Sequence, residues 1–155
     1  MPRAQPSARL ALLSAYAVAE FDAVHCSGLD RLPEWNRAIE RVVEPAAELV
    51  PGAEWIVKMH PSRGMSWLSR CRVEEFDHDG LRFRYRTWNA DGNPSFTDWQ
   101  WDIVGSNGAA AVTVTWDVYL KTLDRKLLAG PLRQRQLRKE VAASLTALDQ
   151  ATGTS

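Results

Sequence analysis

The chain has 155 residues, a length that fits one domain with a sizeable core. Lys plus Arg and Asp plus Glu balance at 19 each, so no overall charge attracts nucleic acid or an acidic membrane surface. Hydrophobic residues make up 45% and charged residues 25%, which excludes extensive disorder, and no apolar stretch is long enough to predict a transmembrane helix. Tryptophan is unusually frequent, with seven residues.

The N-terminal segment, residues 1–28, does not show a clear pattern and its structure is left open. Apolar residues recur at helical spacing and predict an amphipathic helix that ends near Gly28. The members of this stripe are Leu10, Leu13, Ala17, Phe21 and Val24. Arg3 and Arg9 precede "LALLSAYAVA", but Ser14 and Tyr16 interrupt that short apolar run. We therefore expect no cleaved leader and a cytoplasmic protein.

The two cysteines, Cys26 and Cys71, fit neither a metal-binding nor a redox motif. A single possible pair is weak support for a disulfide framework, so we expect two free thiols in a reducing compartment. We also expect no metal and no cofactor.

From Glu54 onward the hydrophobic pattern has a period of two, which is typical of strands with one buried face. "LRFRYRTW" is the clearest case, because apolar residues alternate there with arginines. The turn "DHDG" precedes it, and Gly80 is predicted to take a positive φ. In "SFTDWQWDIV", Trp99 and Trp101 share a face. Five or six such strands predict an antiparallel meander with one buried face.

After Leu123 the period changes to that of a helix. Leu137, Val141, Leu145 and Leu148 fall at i, i+4, i+8 and i+11, which predicts a long amphipathic C-terminal helix. Gly130-Pro131 separates it from a short turn or helix at 124–129, because proline is tolerated in a first helical turn but not in mid-helix.

Several segments resemble the polyketide cyclase/dehydrase branch of the START-like, or SRPBCC, superfamily. They are "DRLPEWNRAIERV", "PGAEWIVKM", "SRCRVEEFDHDGLRFRYRT", "TVTWDVYL" and "SLTALDQA". The resemblance covers residues 29–151 and implies an α+β helix-grip fold. In that fold a curved antiparallel sheet of six or seven strands wraps round a long C-terminal helix, with two small helices after the first strand. The domain assignment is thus a START-like ligand-binding domain at 29–151, after a divergent segment at 1–28.

The resemblance further implies an apolar cavity between the sheet and the C-terminal helix, whose walls the alternation identifies. Tryptophans on four strands are hard to close-pack against one helix without leaving a gap, although for each of them alone a core position is the favoured interpretation. The polar members are able to donate hydrogen bonds to a ligand. The candidate ligand-binding residues are Trp35, Trp55, Val57, Met59, Trp67, Ser69, Cys71, Phe83, Tyr85, Thr87, Trp99, Trp101, Trp116, Val118, Val141 and Leu145.

Three functions stay open at this point. The first is binding of a small hydrophobic ligand that is polycyclic, polyketide-like or lipid-like, and the second is catalysis of the cyclase/dehydrase type. His60, at the end of a predicted strand, is a weak candidate for an acid or base, although alternation places it on the outer face with Lys58. The third is a protein-interaction module that uses the outer arginines Arg82, Arg84 and Arg86. The pattern predicts no aromatic residues interleaved with these arginines, so we expect no nucleic-acid partner.

Overall fold

The computed structural model describes residues 8–14, 32–36, 38–60, 66–77, 79–106, 109–122 and 130–152. These residues form one antiparallel sheet and two helices. The strands are β1 Ala8–Ser14, β2 Ile39–Glu44, β3 Glu54–Met59, β4 Trp67–Asp77, β5 Arg82–Asn89, β6 Phe96–Ser106 and β7 Ala109–Tyr119. The helices are α1 Leu32–Trp35 and α2 Gly130–Thr152.

The sheet has seven strands in the order β1-β7-β6-β5-β4-β3-β2. Strands β2 to β7 are a meander in which each strand pairs with the next, and β1 adds to β7 at the far edge. The predicted antiparallel meander and the α+β class are confirmed. The count is higher than the five or six strands read from alternation, because β1 and β2 do not alternate clearly.

The N-terminal strand corrects the helix predicted there. Residues 8–14 pair with β7 from Ala8 opposite Val114 to Ser14 opposite Ala109, with a register shift between Leu10 and Leu12. Pairing along the free edge of β7 overrides a local helical period, because strand preference depends mainly on the tertiary partner. The remainder of the predicted helix, together with Cys26, lies outside the described residues.

A bulge in β4 interrupts the predicted alternation. The register with β5 shifts between Val73 and Glu75, so one extra residue enters the strand. As a result the Glu75 carboxylate lies on the outer face, 3.3 Å from Arg84 Nη1, and Phe76 packs on Phe83 on the other face. The bulge thus keeps a charge out of the sheet's inner face.

The turn between β4 and β5 also differs from the prediction. The residue with positive φ is Leu81, at 50°, and not Gly80. The Gly80 amide donates to Asp77 Oδ1 at 2.8 Å, and a Cβ at Gly80 would collide with that carboxylate. Glycine is suited to position 80 because the Asp77 carboxylate comes so close to it. The left-handed backbone conformation is taken by the next residue, Leu81.

Helix α2 covers one half of the sheet. It begins at Gly130 with Pro131 in the first turn, as predicted. Leu137, Val141 and Leu145 are buried against β6 and β7, and the side chain of Leu148 lies outside the described residues. Their partners in this core cluster are Trp101, Ile103, Val112, Val114 and Trp116. The segment at 124–129 is likewise outside the described residues.

A second core cluster lies over the other half of the sheet. Leu49, from the connection between β2 and β3, packs with Trp55, Val57, Cys71 and Val73. The half-buried Phe83 and Tyr85 border both clusters. Strand β5 therefore forms the centre line between the half under α2 and the half under the β2–β3 connection.

Candidate ligand-binding face

We call the α2-facing side of β3 to β7 the inner face. Its side chains include no charged group, and none of them is fully exposed. Hydrophobic and aromatic groups dominate it, with a few hydroxyls, one thiol and one carboxamide. The members are Trp55, Val57, Met59, Trp67, Ser69, Cys71, Val73, Phe76, Phe83, Tyr85, Thr87, Asn89, Thr97, Trp99, Trp101, Ile103, Val112, Val114, Trp116 and Val118.

An aromatic ladder crosses this face from β3 to β7. The Trp55 and Tyr85 rings are 5.6 Å apart, Tyr85 and Trp99 are 6.1 Å apart, and Trp99 and Trp116 are 5.9 Å apart. Tyr85 and Trp99 are nearly parallel, with 9° between their planes, and Phe83 stacks on Tyr85 at 5.1 Å. The ladder is a row of neighbouring rings, and its members Tyr85, Trp99 and Trp116 are opposite one another in the strand register.

The aromatic residues of the inner face are not uniformly buried. Trp116 is 2% exposed and Trp101 is 9% exposed, so both are core residues beneath α2. Phe83, Tyr85 and Trp99 are only half-buried although they lie on the same face. Trp101 thus packs against the helix, while its neighbour Trp99 retains surface that the protein does not cover.

Hydrogen-bonding groups collect toward one end of the inner face. Cys71, Thr87 and Thr97 are in register on β4, β5 and β6, and Ser69 and Asn89 form the next pair toward the β5–β6 turn. The opposite end of the same strands is apolar, with Phe76, Phe83, Trp101 and Ile103. The face therefore has a hydrophobic end and a neutral polar end.

Two of these polar side chains have fixed partners. The Ser69 hydroxyl donates to the Trp88 carbonyl at 3.4 Å. The Trp99 indole Nε1 donates to Thr87 Oγ1 at 3.0 Å. The tryptophan ring and the threonine hydroxyl therefore position each other.

The inner face holds two titratable groups, Cys71 and Tyr85. Burial raises the pKa of the Cys71 thiol well above its ordinary value. Burial also raises the pKa of Tyr85, and the neighbouring Cys71 adds to the rise. Both groups are protonated and neutral at physiological pH.

Solved structures share this arrangement of sheet and helix. The protein Ara h 8.0201 aligns with a TM-score of 0.73 at 11% identity, covering 99% of this chain and 100% of that one. A START superfamily protein from Mycobacterium smegmatis aligns with a TM-score of 0.64 at 15% identity, covering 97% of both chains. The chain has the START-like helix-grip fold. The predicted fold class is thereby confirmed, and the superfamily resemblance holds at the level of the fold.

A third solved structure has this helix-grip fold within a longer chain. It is the di-domain ARO/CYC StfQ from the steffimycin biosynthetic pathway, with a TM-score of 0.68 at 13% identity. The alignment covers 97% of this chain and 50% of that one. At these identities the likeness concerns the fold alone. No protein-family model matches the sequence, and no curated protein does.

The helix-grip fold brings most predicted site residues to the inner face. All the candidates on strands β3 to β7 lie there, with Met59 and Trp67 opposite each other at the polar end. Val141 and Leu145 are core residues of α2. Trp35 belongs to α1, but its side chain lies outside the described residues. Their role in binding remains a prediction.

The prediction missed several inner-face residues. Val73, Val112 and Val114 follow from the same alternation as Cys71 and Trp116, and they complete the face as core residues. Thr97 and Asn89 also follow from alternation alone, since they continue the rows of Trp99 and Thr87. Phe76 is different: strict alternation from Trp67 places it outside, and the bulge at Val73 to Glu75 brings it in.

His60 lies away from the inner face. It is exposed, its Nδ1 lies 2.8 Å from Ser66 Oγ, and its amide donates to the Ala38 carbonyl at 2.8 Å. Its outer neighbour Lys58 pairs with Glu40 at 2.9 Å. This location agrees with the alternation of β3 and offers the imidazole no access to the ladder.

The outer face carries five arginines on β4 and β5, and each of these five has a carboxylate partner. Arg70 pairs with Glu54, Arg72 with Glu74, Arg82 with Asp102, Arg84 with Glu75 and Arg86 with Asp98, at 2.7–3.3 Å. The Arg82 pair lowers the pKa of Asp102 despite its partial burial, with help from Gln100. The predicted basic ladder is therefore an electrically balanced network.

Aromatic residues interleave this network, which corrects the sequence-based view of the face. Trp88, Phe96 and Tyr119 lie on it, with Phe96 and Tyr119 stacked at 4.6 Å. The Arg86 guanidinium lies 4.0 Å from the Phe96 ring centre, and Arg72 lies 5.8 Å from that of Trp88. Trp88 was readable from the sequence, because it continues the parity of the arginines in β5.

The described residues provide neither a metal-binding cluster nor a membrane-spanning helix. In that part of the chain, no three His, Cys, Asp or Glu side chains come close enough together to hold a metal ion. None of its helices has the length and apolar character needed to cross a bilayer.

Proposed function

We propose that the protein binds a small, neutral, mainly apolar molecule between the inner face and α2. The observation that carries the proposal is the patch Phe83, Tyr85, Trp99, Thr87 and Val118, which stays half-buried beside fully buried core residues of the same face. Ligand sites are typically concave, apolar and aromatic, with a few polar groups that orient the ligand. The neighbours of the same fold agree with such a role.

The charge distribution supports a neutral ligand. Every inner-face side chain among the described residues is uncharged at neutral pH, and the arginines are on the other side of the sheet. An ionised carboxylate or amine held on this face would lose its hydration without gaining a counter-charge. That loss costs roughly several kcal/mol of binding free energy. Neutral polycyclic or polyketide-like compounds therefore fit better than fatty-acid anions.

A larger side chain introduced on the inner face tests whether that face lines a binding site or a packed core. Val118→Phe adds a ring on β7 at the polar end of the inner face, and Thr115→Phe is the matched control on the outer face of the same strand. N-phenylnaphthylamine, a neutral fluorescent probe, should bind the wild type and Thr115→Phe saturably and should not bind Val118→Phe. Because the added ring would take the place proposed for the ligand, the free energy of unfolding should change little.

The contrary result is equally clear. Overpacking a closed core costs about 1–3 kcal/mol. A Val118→Phe protein destabilised by that amount, together with a wild type that binds no probe, would make the inner face ordinary core and end the binding proposal. Mass spectrometry of the purified protein under native conditions would identify a retained ligand directly.

A second candidate function is catalysis of the cyclase/dehydrase type on a polyketide-like chain. Its support is the shared fold with the ARO/CYC protein StfQ. Cys71 and Tyr85 are the titratable groups that would be available, and their raised pKa values allow proton donation but not proton abstraction at neutral pH. Such catalysis would therefore rely on holding the chain in a reactive fold and on donation from Tyr85.

The two functions separate by product formation. If Tyr85 is an acid, Tyr85→Phe should lower cyclisation of a poly-β-keto thioester roughly 10²–10⁴-fold without weakening probe binding. His60→Ala should leave both quantities unchanged, since His60 is exposed on the other side. A large loss of turnover in a folded His60→Ala protein would refute that expectation. The arginine network is not proposed as a partner site, because its guanidinium groups are already paired.

A further inference from the structure

We infer that Thr87 is the specificity-determining residue of the inner face, and that its hydroxyl donates a hydrogen bond to a carbonyl or ether oxygen on a flat, neutral ring ligand. This inference rests on the proposed binding function. It assigns one atom, the Thr87 Oγ1 proton, to ligand recognition, and it makes the ligand an oxygen-bearing aromatic compound instead of a plain hydrocarbon.

The hydroxyl is held in place from one side. Trp99 Nε1 donates to Thr87 Oγ1 at 3.0 Å, so one lone pair of the oxygen is occupied. A hydroxyl also has one proton to donate. Among the described residues no acceptor takes that proton, although the side chain is half-buried on the inner face. A positioned donor without a protein acceptor is the group that an oxygen of a ligand would satisfy.

The surroundings specify the rest of the ligand. The Trp99 and Tyr85 rings stack on each other, with 9° between their planes and 6.1 Å between their centres, so they form an aromatic wall beside Thr87. The indole Nε1 is 3.0 Å from Thr87 Oγ1, so a flat ring packed along this wall can bring an oxygen on its own edge to the same hydroxyl. Among the described residues, no indole donates a hydrogen bond to Thr97, which lies directly opposite Thr87 on β6.

Two matched probes isolate this hydrogen bond. Fluorenone and fluorene have the same flat tricyclic frame, but only fluorenone carries an acceptor oxygen. The wild type should bind fluorenone more tightly than fluorene by roughly three- to tenfold, the usual worth of one hydrogen bond. Thr87→Val, which replaces the hydroxyl with a methyl of similar size, should abolish that preference and leave fluorene binding intact.

Further variants test the atom and its support. Thr87→Ser keeps a hydroxyl and should keep the preference, while Thr97→Val should leave it unchanged. Trp99→Phe retains an aromatic ring but lacks the indole N–H. Its preference for fluorenone over fluorene should therefore be smaller than that of the wild type. Binding of fluorene reports in each variant that the site is still folded.

The outcomes separate this inference from the proposal beneath it. A wild type that binds neither tricycle nor N-phenylnaphthylamine overturns the binding function and the inference together. Equal binding of fluorenone and fluorene by the wild type, or a preference that persists in Thr87→Val, overturns the role of Thr87 while leaving the binding function in place.

Discussion

The two faces of the sheet are built from the same strands and have opposite chemistry. On β5, Phe83, Tyr85 and Thr87 face α2, while Arg82 and Arg84 face outward. The inner side chains interact through stacked rings and apolar packing, and the outer ones through ion pairs. One strand therefore contributes to both a dry interior and a solvated exterior, because its side chains alternate.

The comparison teaches where selectivity resides in this fold. The charged side chains of the outer face form ion pairs with one another, so that face is hydrated and electrically balanced. The inner face is neutral, so it discriminates by shape, stacking and single hydrogen bonds. Moving a charge across the sheet is accordingly the most direct way to break the distinction.

The largest effect is expected from a charge on the inner face. Val114 is fully buried with 0% exposure, so Val114→Lys should cost more than about 4 kcal/mol and prevent folding. Thr115→Lys, one residue along on the outer face, should change the free energy of unfolding by about 0.5 kcal/mol or less. Equal chemical-denaturation midpoints for the two variants would show that the faces are not distinct.

A smaller loss is expected from removing an inner aromatic ring. Trp116 is 2% exposed in the cluster beneath α2, so Trp116→Ala should lower the free energy of unfolding by about 3–5 kcal/mol. Tyr119 on the outer face of the same strand is 39% exposed, and Tyr119→Ala should cost only about 1 kcal/mol. Urea titration measures both, and a comparable loss at the two positions would contradict the assignment of Trp116 to the core.

The buried thiol predicts a pH dependence specific to the inner face. The pKa of Cys71 is raised by burial, so the folded protein keeps its proton while the unfolded chain loses it above the ordinary value of 9.0. Stability from this group is therefore complete below about pH 9 and falls by about 1.4 kcal/mol per pH unit above it.

Cys71→Ala should remove this slope, and Ser69→Ala on the same strand should retain it. The measurement is the free energy of unfolding at pH 8, 9 and 10, roughly the range over which the unfolded thiol ionises before an unfolded Tyr85, whose pKa is also raised by burial in the folded protein, begins to do so. If Cys71→Ala and the wild type lose stability in parallel throughout, the thiol is accessible to solvent and not buried.

The smallest effect is expected from an outer ion pair. Arg86 and Asp98 form two hydrogen bonds, at 2.7 and 3.0 Å, with both side chains partly exposed. A double-mutant cycle with Arg86→Gln and Asp98→Asn should give a coupling energy of about 0.3–1 kcal/mol, reduced at high salt. A coupling energy of several kcal/mol that is insensitive to salt would place this pair in a far less polar environment than the structure does.

Some local features were not readable from pattern alone. The spacing of Leu10 and Leu13 suits a helix, yet the free edge of β7 draws this segment into a strand. Strict alternation would place Glu75 inside, and a bulge instead exposes it to Arg84. In both cases a non-local pairing outweighs a weak local preference, which is why the sequence period misleads there.

The sequence by itself determined the antiparallel sheet, the long C-terminal helix and the sidedness of the central strands, because alternation and helical spacing are local properties of the chain. It also identified the tryptophans of the candidate site. Only the tertiary structure decided that Trp101 packs under α2 while Trp99 stays half-exposed and holds Thr87, since burial depends on which element covers each row. It likewise decided that the outer arginines are neutralised, because their carboxylate partners come from other positions brought together by strand register.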